Sequence, residues 1–208
     1  MSPPISFQGF DGSASTTPDS PVVFFWGTNE TYGMFSQWYT AGFSCDGNRF
    51  ATAEQYMMYR KAEAFGDAGA ADAILGSPKK HPRQHKAMGR NVQGFRDDVW
   101  DAAGVEAVVV GNLCKFTQNP ALTAALVGTA GSVLAEASPY DYIWGIGFKE
   151  EDMIQHMSGT RGFHKITSTD AIAQICSDKQ TDTNAGSTVP DKTQTDTDDG
   201  NTAIEKPT

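Results

Sequence analysis

The chain has 208 residues, of which 39% are hydrophobic and 20% charged, and its formal net charge is −9. That length accommodates one domain with a proper core plus tails. The charge excludes binding along an extended basic face, and no apolar run is long enough to cross a bilayer. Most of the negative charge lies outside the centre: the segments before residue 22 and after residue 177 together hold −6 of the −9. Both segments are rich in Ser, Thr, Pro, Gly and Asp without hydrophobic periodicity, so tails are expected at 1–21 and 178–208, with a single domain over 22–177. Residues 1–21 have neither the basic start nor the apolar segment of a secretory signal. Cys45, Cys114 and Cys176 are odd in number, widely spaced and form no metal-ligand pair. Reduced, mostly buried thiols in a reducing, cytosolic compartment are therefore expected.

Along the chain, Val22–Trp26 is β-branched and aromatic and reads as a strand. Phe43–Phe50 reads as a hairpin turning at Asp46-Gly47. Thr52, with Gln55 three residues on, has the capping-box pattern for a helix running to about Phe65. A second helix is expected over Ala68–Leu75, stopping at Gly76-Ser77-Pro78. His81-Pro82 opens a short basic helix ending near Gly89. Trp100–Lys115 is helical in pattern despite Gly104 and Gly111, which weaken the period. Asn119-Pro120 caps a helix over Ala121–Val127. Val133–Ala137 resembles a short strand, a loop follows over 138–147, and a last helix covers about 169–176. Many short helices with a few small strands imply a compact, mainly helical α+β domain. No third glycine follows Gly145-Ile146-Gly147, which disfavours a Rossmann reading.

Three constellations could carry chemistry. Glu54 stands in the first turn of its helix, where exposed N–H groups and the macrodipole favour an anion and should lower its pKa. Lys61, almost two turns on, returns to nearly the same azimuth, and the intervening Tyr56, Met57, Met58 and Tyr59 make this helix unusually apolar. A Glu in a helical first turn is more often only a dipole partner; a partly buried Glu and Lys need partners or a ligand. The loop Ser138–Gly147 carries Trp144, able to stack on a flat base, Asp141, able to accept from ribose hydroxyls, and Gly145, permitting close backbone approach. A core Trp held by a tight turn explains the same residues equally well. Residues 79–90 concentrate positive charge, with Lys86 and Arg90 as phosphate-binding candidates against a solvated helix face. His81 and His85 stand at i, i+4, but no third ligand accompanies them, so neither a metal nor another cofactor is expected.

The order of these motifs resembles the NADAR/YbiA-like family. Tyr32-Gly33-x-Phe35-Ser36, Ala53-Glu54-Gln55-Tyr56 and Lys61-Ala62 are similar to its N-terminal motif. Lys86-x-x-Gly89-Arg90 with Phe95 and Trp100 is similar to its middle motif, and Lys115-Phe116 with Asn119-Pro120 to its next helix. Glu136-Ala137-Ser138-Pro139-Tyr140-Asp141-x-x-Trp144-Gly145-x-Gly147 is similar to its most distinctive stretch. The likeness runs from about Phe24 to Phe148. This chain has Gly104 where the family often has Arg, and the segment 157–164 departs from the family's pattern.

The resemblance implies a mainly helical YbiA-like fold and hydrolysis of an N-glycosidic bond to ribose. Its substrates would be phosphorylated ribosyl intermediates of riboflavin synthesis, or ADP-ribose attached to guanine in a nucleic acid. Glu54 would be catalytic with Lys61 beside it; Trp100, Asp141, Trp144 and Gly145 would shape the pocket. The first-turn position implies an ionised Glu54, a base or cation stabiliser rather than a proton donor. The alternative is a module that binds ADP-ribose or a related nucleotide without cleaving it.

Overall fold

The structure is a computed structural model and describes residues 20–152. The expected helix at 169–176, the segment 157–164, Cys176 and almost all of both tails lie outside that range. Of the first tail, Ser20 and Pro21 are described, and the Pro21 carbonyl accepts the Val133 N–H at 2.8 Å.

Four short strands, five α-helices and one 3-10 turn at Gly33–Phe35 occur among the described residues: β1 (Val22–Phe25), β2 (Phe43–Cys45), β3 (Asn48–Phe50), α1 (Ala53–Ala64), α2 (Ala68–Leu75), α3 (Pro82–Arg90), α4 (Asp97–Thr117), α5 (Pro120–Val127) and β4 (Val133–Glu136). Strands β1 and β4 pair in parallel with Val22 opposite Val133 and Phe25 opposite Glu136. The hairpin β2–β3 pairs Phe43 with Phe50. Its turn residues Asp46 and Gly47 both have positive φ, 50° and 80°, as a two-residue turn matching strand twist requires.

Local signals set the helix ends. The Thr52 side chain accepts the Gln55 N–H at 3.2 Å, while Gln55 Oε1 reaches back to the Ala51 N–H at 2.9 Å. His81 and Gln84 form a reciprocal capping box at α3, with Pro82 in its first turn. Helix α4 is longer than the expected 100–115, because Asp97 and Asp98 extend its first turn where they complement the dipole. Its glycines are tolerated for steric reasons. A Cβ at Gly111 would stand 2.6 Å from the Tyr56 ring, and one at Gly104 would stand 3.0 Å from the Trp100 ring.

Helix α1 is central and packs on α2, α3 and α4. Its first two turns are buried almost all round, through Ala53, Glu54, Gln55, Tyr56, Met57 and Met58. Fully buried Gln55 donates to the Ile74 carbonyl at 2.9 Å and ties α1 to the end of α2. One apolar cluster joins Met57, Met58, Ile74, Val92 and Val108, with Trp100 and Trp144 packed on it. Another places Phe25, Phe35, Phe116, Leu126 and Leu134 between the parallel pair and α4–α5.

The expectation of reduced thiols is corrected for one pair. Cys45 of β2 and Cys114 of α4, 69 residues apart in sequence, are joined by a disulfide with Cα atoms 6.0 Å apart. Only the docking of the hairpin onto α4 brings them together, which spacing alone could not reveal. Closing so long a loop restricts the unfolded chain, so Cys45→Ser with Cys114→Ser should lower unfolding free energy by about 2–4 kcal/mol. Urea denaturation under oxidising conditions reads this directly; an unchanged midpoint contradicts it. No helix among the described residues is long and apolar enough to cross a membrane.

Candidate active site

Three elements converge on Glu54 of α1. The segment before the hairpin supplies Trp38, whose Nε1 donates to Glu54 Oε2 at 3.2 Å. The same segment receives the Glu54 backbone N–H on the Gln37 carbonyl at 3.0 Å. Helix α3 supplies Lys86 and Arg90, and the loop after β4 supplies Asp141 and Trp144. Glu54 is buried, and its Oε1 accepts no hydrogen bond from any of the described residues.

Burial decides the charge state. Desolvation raises the Glu54 carboxyl from 4.5 to about 7, against the lowering influence of Lys86, the Trp38 N–H and Arg90 and alongside the raising influence of Asp141. The expectation of a lowered pKa at the helix N-terminus is therefore overturned, because removing water from a carboxylate outweighs the dipole here. The expected neighbour changes as well. Lys61 stands seven residues on, roughly 10 Å along the axis. Its Nζ lies 3.9 Å from the centre of the Phe95 ring and 5.6 Å from that of Trp100. Burial lowers the Lys61 pKa, opposed by Asp97 and assisted by Arg90. The ammonium acting on Glu54 is Lys86, not Lys61.

Asp141 is committed to its own loop. Its Oδ1 accepts the N–H groups of Ile143 and Trp144 at 3.0 and 2.9 Å. Its Oδ2 receives Lys86 Nζ at 3.3 Å. Burial alone would raise this carboxyl; the two backbone donors and Lys86 outweigh it and hold it below the ordinary value. Asp141 thus remains an anion that aims Lys86 and fixes the turn carrying Trp144. Gly145 serves the same turn: a Cβ there would meet the Asp141 carbonyl at 2.8 Å and the Glu136 carbonyl at 3.2 Å. The expected close approach at Gly145 is thus made by backbone of the loop and strand. Ile146 N–H then bonds the Glu136 carbonyl at 2.9 Å, pinning the loop to the end of β4.

Trp144 and Trp100 pack on the same apolar cluster, one from the loop and one from α4. Arg90 is exposed at the end of α3, and no ion pair to it occurs among the described residues. The two histidines do not converge. His81 Nδ1 accepts the Arg83 N–H, whereas His85 is fully buried with Nε2 3.0 Å from the Ser77 carbonyl. A cleft of about 790 Å³ lined by Val22–Trp26 and Lys149–Glu151 contains none of these residues.

Two residues at the site escaped sequence reasoning. Trp38 lies in a loop with no periodic signal, and only the tertiary fold points its indole at Glu54. Glu136 stands within the recognised stretch but ends a strand, which gave no reason to set it apart. Burial raises its carboxyl from 4.5 to about 7, with Asp141 and Glu54 raising it further and Lys86 opposing.

The NADAR domain model matches residues 24–165 of this chain. The chain is 39% identical over 140 residues to N-glycosidase R617 of Acanthamoeba polyphaga mimivirus, covering 64% of this chain and 81% of that protein. It is 30% identical over 145 residues to the chloroplastic riboflavin biosynthesis protein PYRR of Zea mays, covering 65% of this chain and 23% of that protein. The NMR structure of the E. coli protein YbiA shares the fold with a TM-score of 0.58 at 20% identity, covering 85% of this chain and 95% of that one.

Proposed function

Because this chain belongs to the NADAR domain family, we propose that its site is that of an N-glycosidase hydrolysing the C1′–N bond of a phosphorylated ribosyl substrate. The observation that carries this reading is Glu54: a buried carboxylate with one oxygen that no described residue donates to, set among Lys86, Asp141 and Trp38. Departure of a base from C1′ develops positive charge on the sugar, and a fixed anion stabilises that charge. A carboxylate titrating near neutrality is also matched to taking a proton from water at the working pH. Trp144 and Trp100 would bracket the flat base, and Arg90 with Lys86 would take the phosphate.

The name of the mimivirus relative is that of an N-glycosidase. The maize relative's name places that protein in riboflavin biosynthesis. They support a glycosidase reading and a riboflavin-pathway ribosyl intermediate as its substrate class; ADP-ribose on guanine in a nucleic acid is the second substrate we propose to test. Mass-spectrometric release of free base from both substrates, wild type against Glu54→Gln, tests the reading. Wild-type release that is lost in Glu54→Gln supports it. A wild type that binds ADP-ribose by calorimetry yet releases no base from either substrate overturns it in favour of a binding module.

Asp141 should then behave as a positioning residue. Asp141→Asn keeps the acceptor for the Ile143 and Trp144 N–H groups but loses the charge facing Lys86. The half-exposed ion pair contributes only about 1 kcal/mol or less to folding. A displaced Lys86 should nonetheless lower kcat/KM by roughly ten- to a hundredfold. Urea denaturation beside steady-state kinetics separates the two effects, and equal kinetics would contradict the role.

A further inference from the structure

Resting on the glycosidase reading above, we propose that Trp38 is the positioning residue of Glu54: its indole N–H holds Oε2 and leaves Oε1 as the oxygen presented to the reacting water. The two oxygens of a free carboxylate are equivalent, and rotation about its last bond exchanges them. A base that must meet one water in one geometry gains from having that rotation stopped. Among the described residues the Trp38 indole is the one donor to the Glu54 carboxyl, at 3.2 Å, and it reaches a single oxygen.

Both partners of this contact are fixed. Residues 37 and 38 grip Glu54 twice, the Gln37 carbonyl taking its backbone N–H at 3.0 Å and the Trp38 indole its side chain. That N–H belongs to the first turn of α1, where no carbonyl of the helix itself can take it. The pair is held in turn from α4: Lys115 Nζ donates to the Ser36 carbonyl at 2.8 Å, and Ser36 Oγ accepts the Trp38 backbone N–H at 3.3 Å. The indole also meets the His81 ring at the N-terminus of α3, with centroids 5.6 Å apart and planes at 87°. Lys86 of the same helix is engaged elsewhere, its Nζ bonding Asp141 Oδ2 at 3.3 Å. An indole N–H only donates and carries no charge, so Trp38 orders the carboxylate without neutralising it or exchanging a proton with it. The charges facing Glu54 are Lys86 and Arg90 of α3 and Asp141 of the Trp144 loop, with Glu136 at the end of β4 also in electrostatic reach. The indole bond joins the two cations in favouring the ionised form against burial, so losing it makes Glu54 harder to ionise.

Kinetics and NMR on the full chain decide this. Trp38→Phe keeps a ring beside His81 and loses the donor. Replacing Trp38 by benzothienylalanine, which has sulfur where the indole has its N–H, loses the donor and keeps the shape. Both should lower kcat on a cleavable ribosyl substrate by about ten- to a hundredfold, with KM changed less than about twofold. The acidic limb of kcat/KM should move to higher pH in both. Wild-type turnover with benzothienylalanine, or an unmoved limb, overturns the assignment. The NMR measurement does not depend on turnover. The Trp38 indole proton, assigned by its absence from Trp38→Phe, should shift as Glu54 ionises at about pH 7, and that shift should vanish in Glu54→Gln. An indole proton that ignores pH, or a shift that persists in Glu54→Gln and so reports His81, overturns the proposal. A wild type that releases no base from any ribosyl substrate sinks the glycosidase reading instead, and the titration still decides whether Trp38 holds Glu54.

Discussion

Glu54→Gln is expected to lower kcat on a cleavable ribosyl substrate by about 10²–10⁴-fold while making the protein more stable at alkaline pH. The loss of rate follows from removing both the acceptor of water's proton and the anion that faces the developing sugar cation. The gain in stability follows from linkage. Burial raises the folded-state pKa to about 7 from 4.5. Stability from a carboxyl so raised is fully present below pH 4.5, falls as the pH rises through about 7, and is absent above that. Glutamine carries no such penalty and still accepts the Trp38 N–H. The variant should therefore exceed wild type by up to about 3 kcal/mol at pH 8, with the difference closing below pH 4.5. Urea denaturation at pH 4 and pH 8 reads both ends. Wild-type turnover, or a variant less stable than wild type at pH 8, contradicts the description of Glu54 as a buried, destabilised anion.

Removing Lys115 should have the largest effect on folding. Its side chain is fully buried in α4, and its Nζ donates to the Met34 and Ser36 carbonyls, both at 2.8 Å. Those carbonyls belong to the segment that places Trp38 against Glu54. Lys115→Ala would leave two carbonyls without a donor and a cavity where the stem lay, costing about 4–6 kcal/mol. Lys115→Met refills the stem and should cost about 2–4 kcal/mol, the share of the lost donors. Activity should fall in both variants further than the folded fraction accounts for, because Trp38 loses its support.

Lys115 also carries a pH signature. Burial lowers its pKa from 10.5 to about 7. Between those values the unfolded chain binds the proton and the native state does not, so stability rises with pH across this window. A neutral amine has two N–H bonds, the number of carbonyls it meets. Wild type should therefore gain stability from pH 7 to 9 relative to Lys115→Met. A pH-independent difference between the two would contradict this.

Much of the local structure was legible in the sequence because it is locally determined. The Thr52–Gln55 cap, the Asp46-Gly47 turn, and Pro82 and Pro120 at helix starts act over a few residues, and each sits where its chemistry requires. The site was half legible. Glu54, Lys86, Asp141 and Trp144 were picked out by residue type and by the order of the motifs around them. The expected pairing of Lys61 with Glu54 is not the one the fold makes, because azimuth on a helix says nothing about the 10 Å or so between two residues along its axis. Trp38 and Glu136 gave no local signal, since each matters only through what stands opposite it.

By itself, then, the sequence determined the family, the element order and the identity of the central carboxylate, which depend on short-range capping, turn chemistry and motif order. Only the tertiary structure decided the charge on that carboxylate. Its pKa depends on how completely the Trp38 segment, α3 and the Trp144 loop exclude water from it, and on Lys86 rather than Lys61 being brought near. The disulfide between Cys45 and Cys114 was decided in the same way, by the docking of a hairpin on a helix 69 residues away. Desolvation and long-range pairing are properties of the packed chain, and no local pattern carries them.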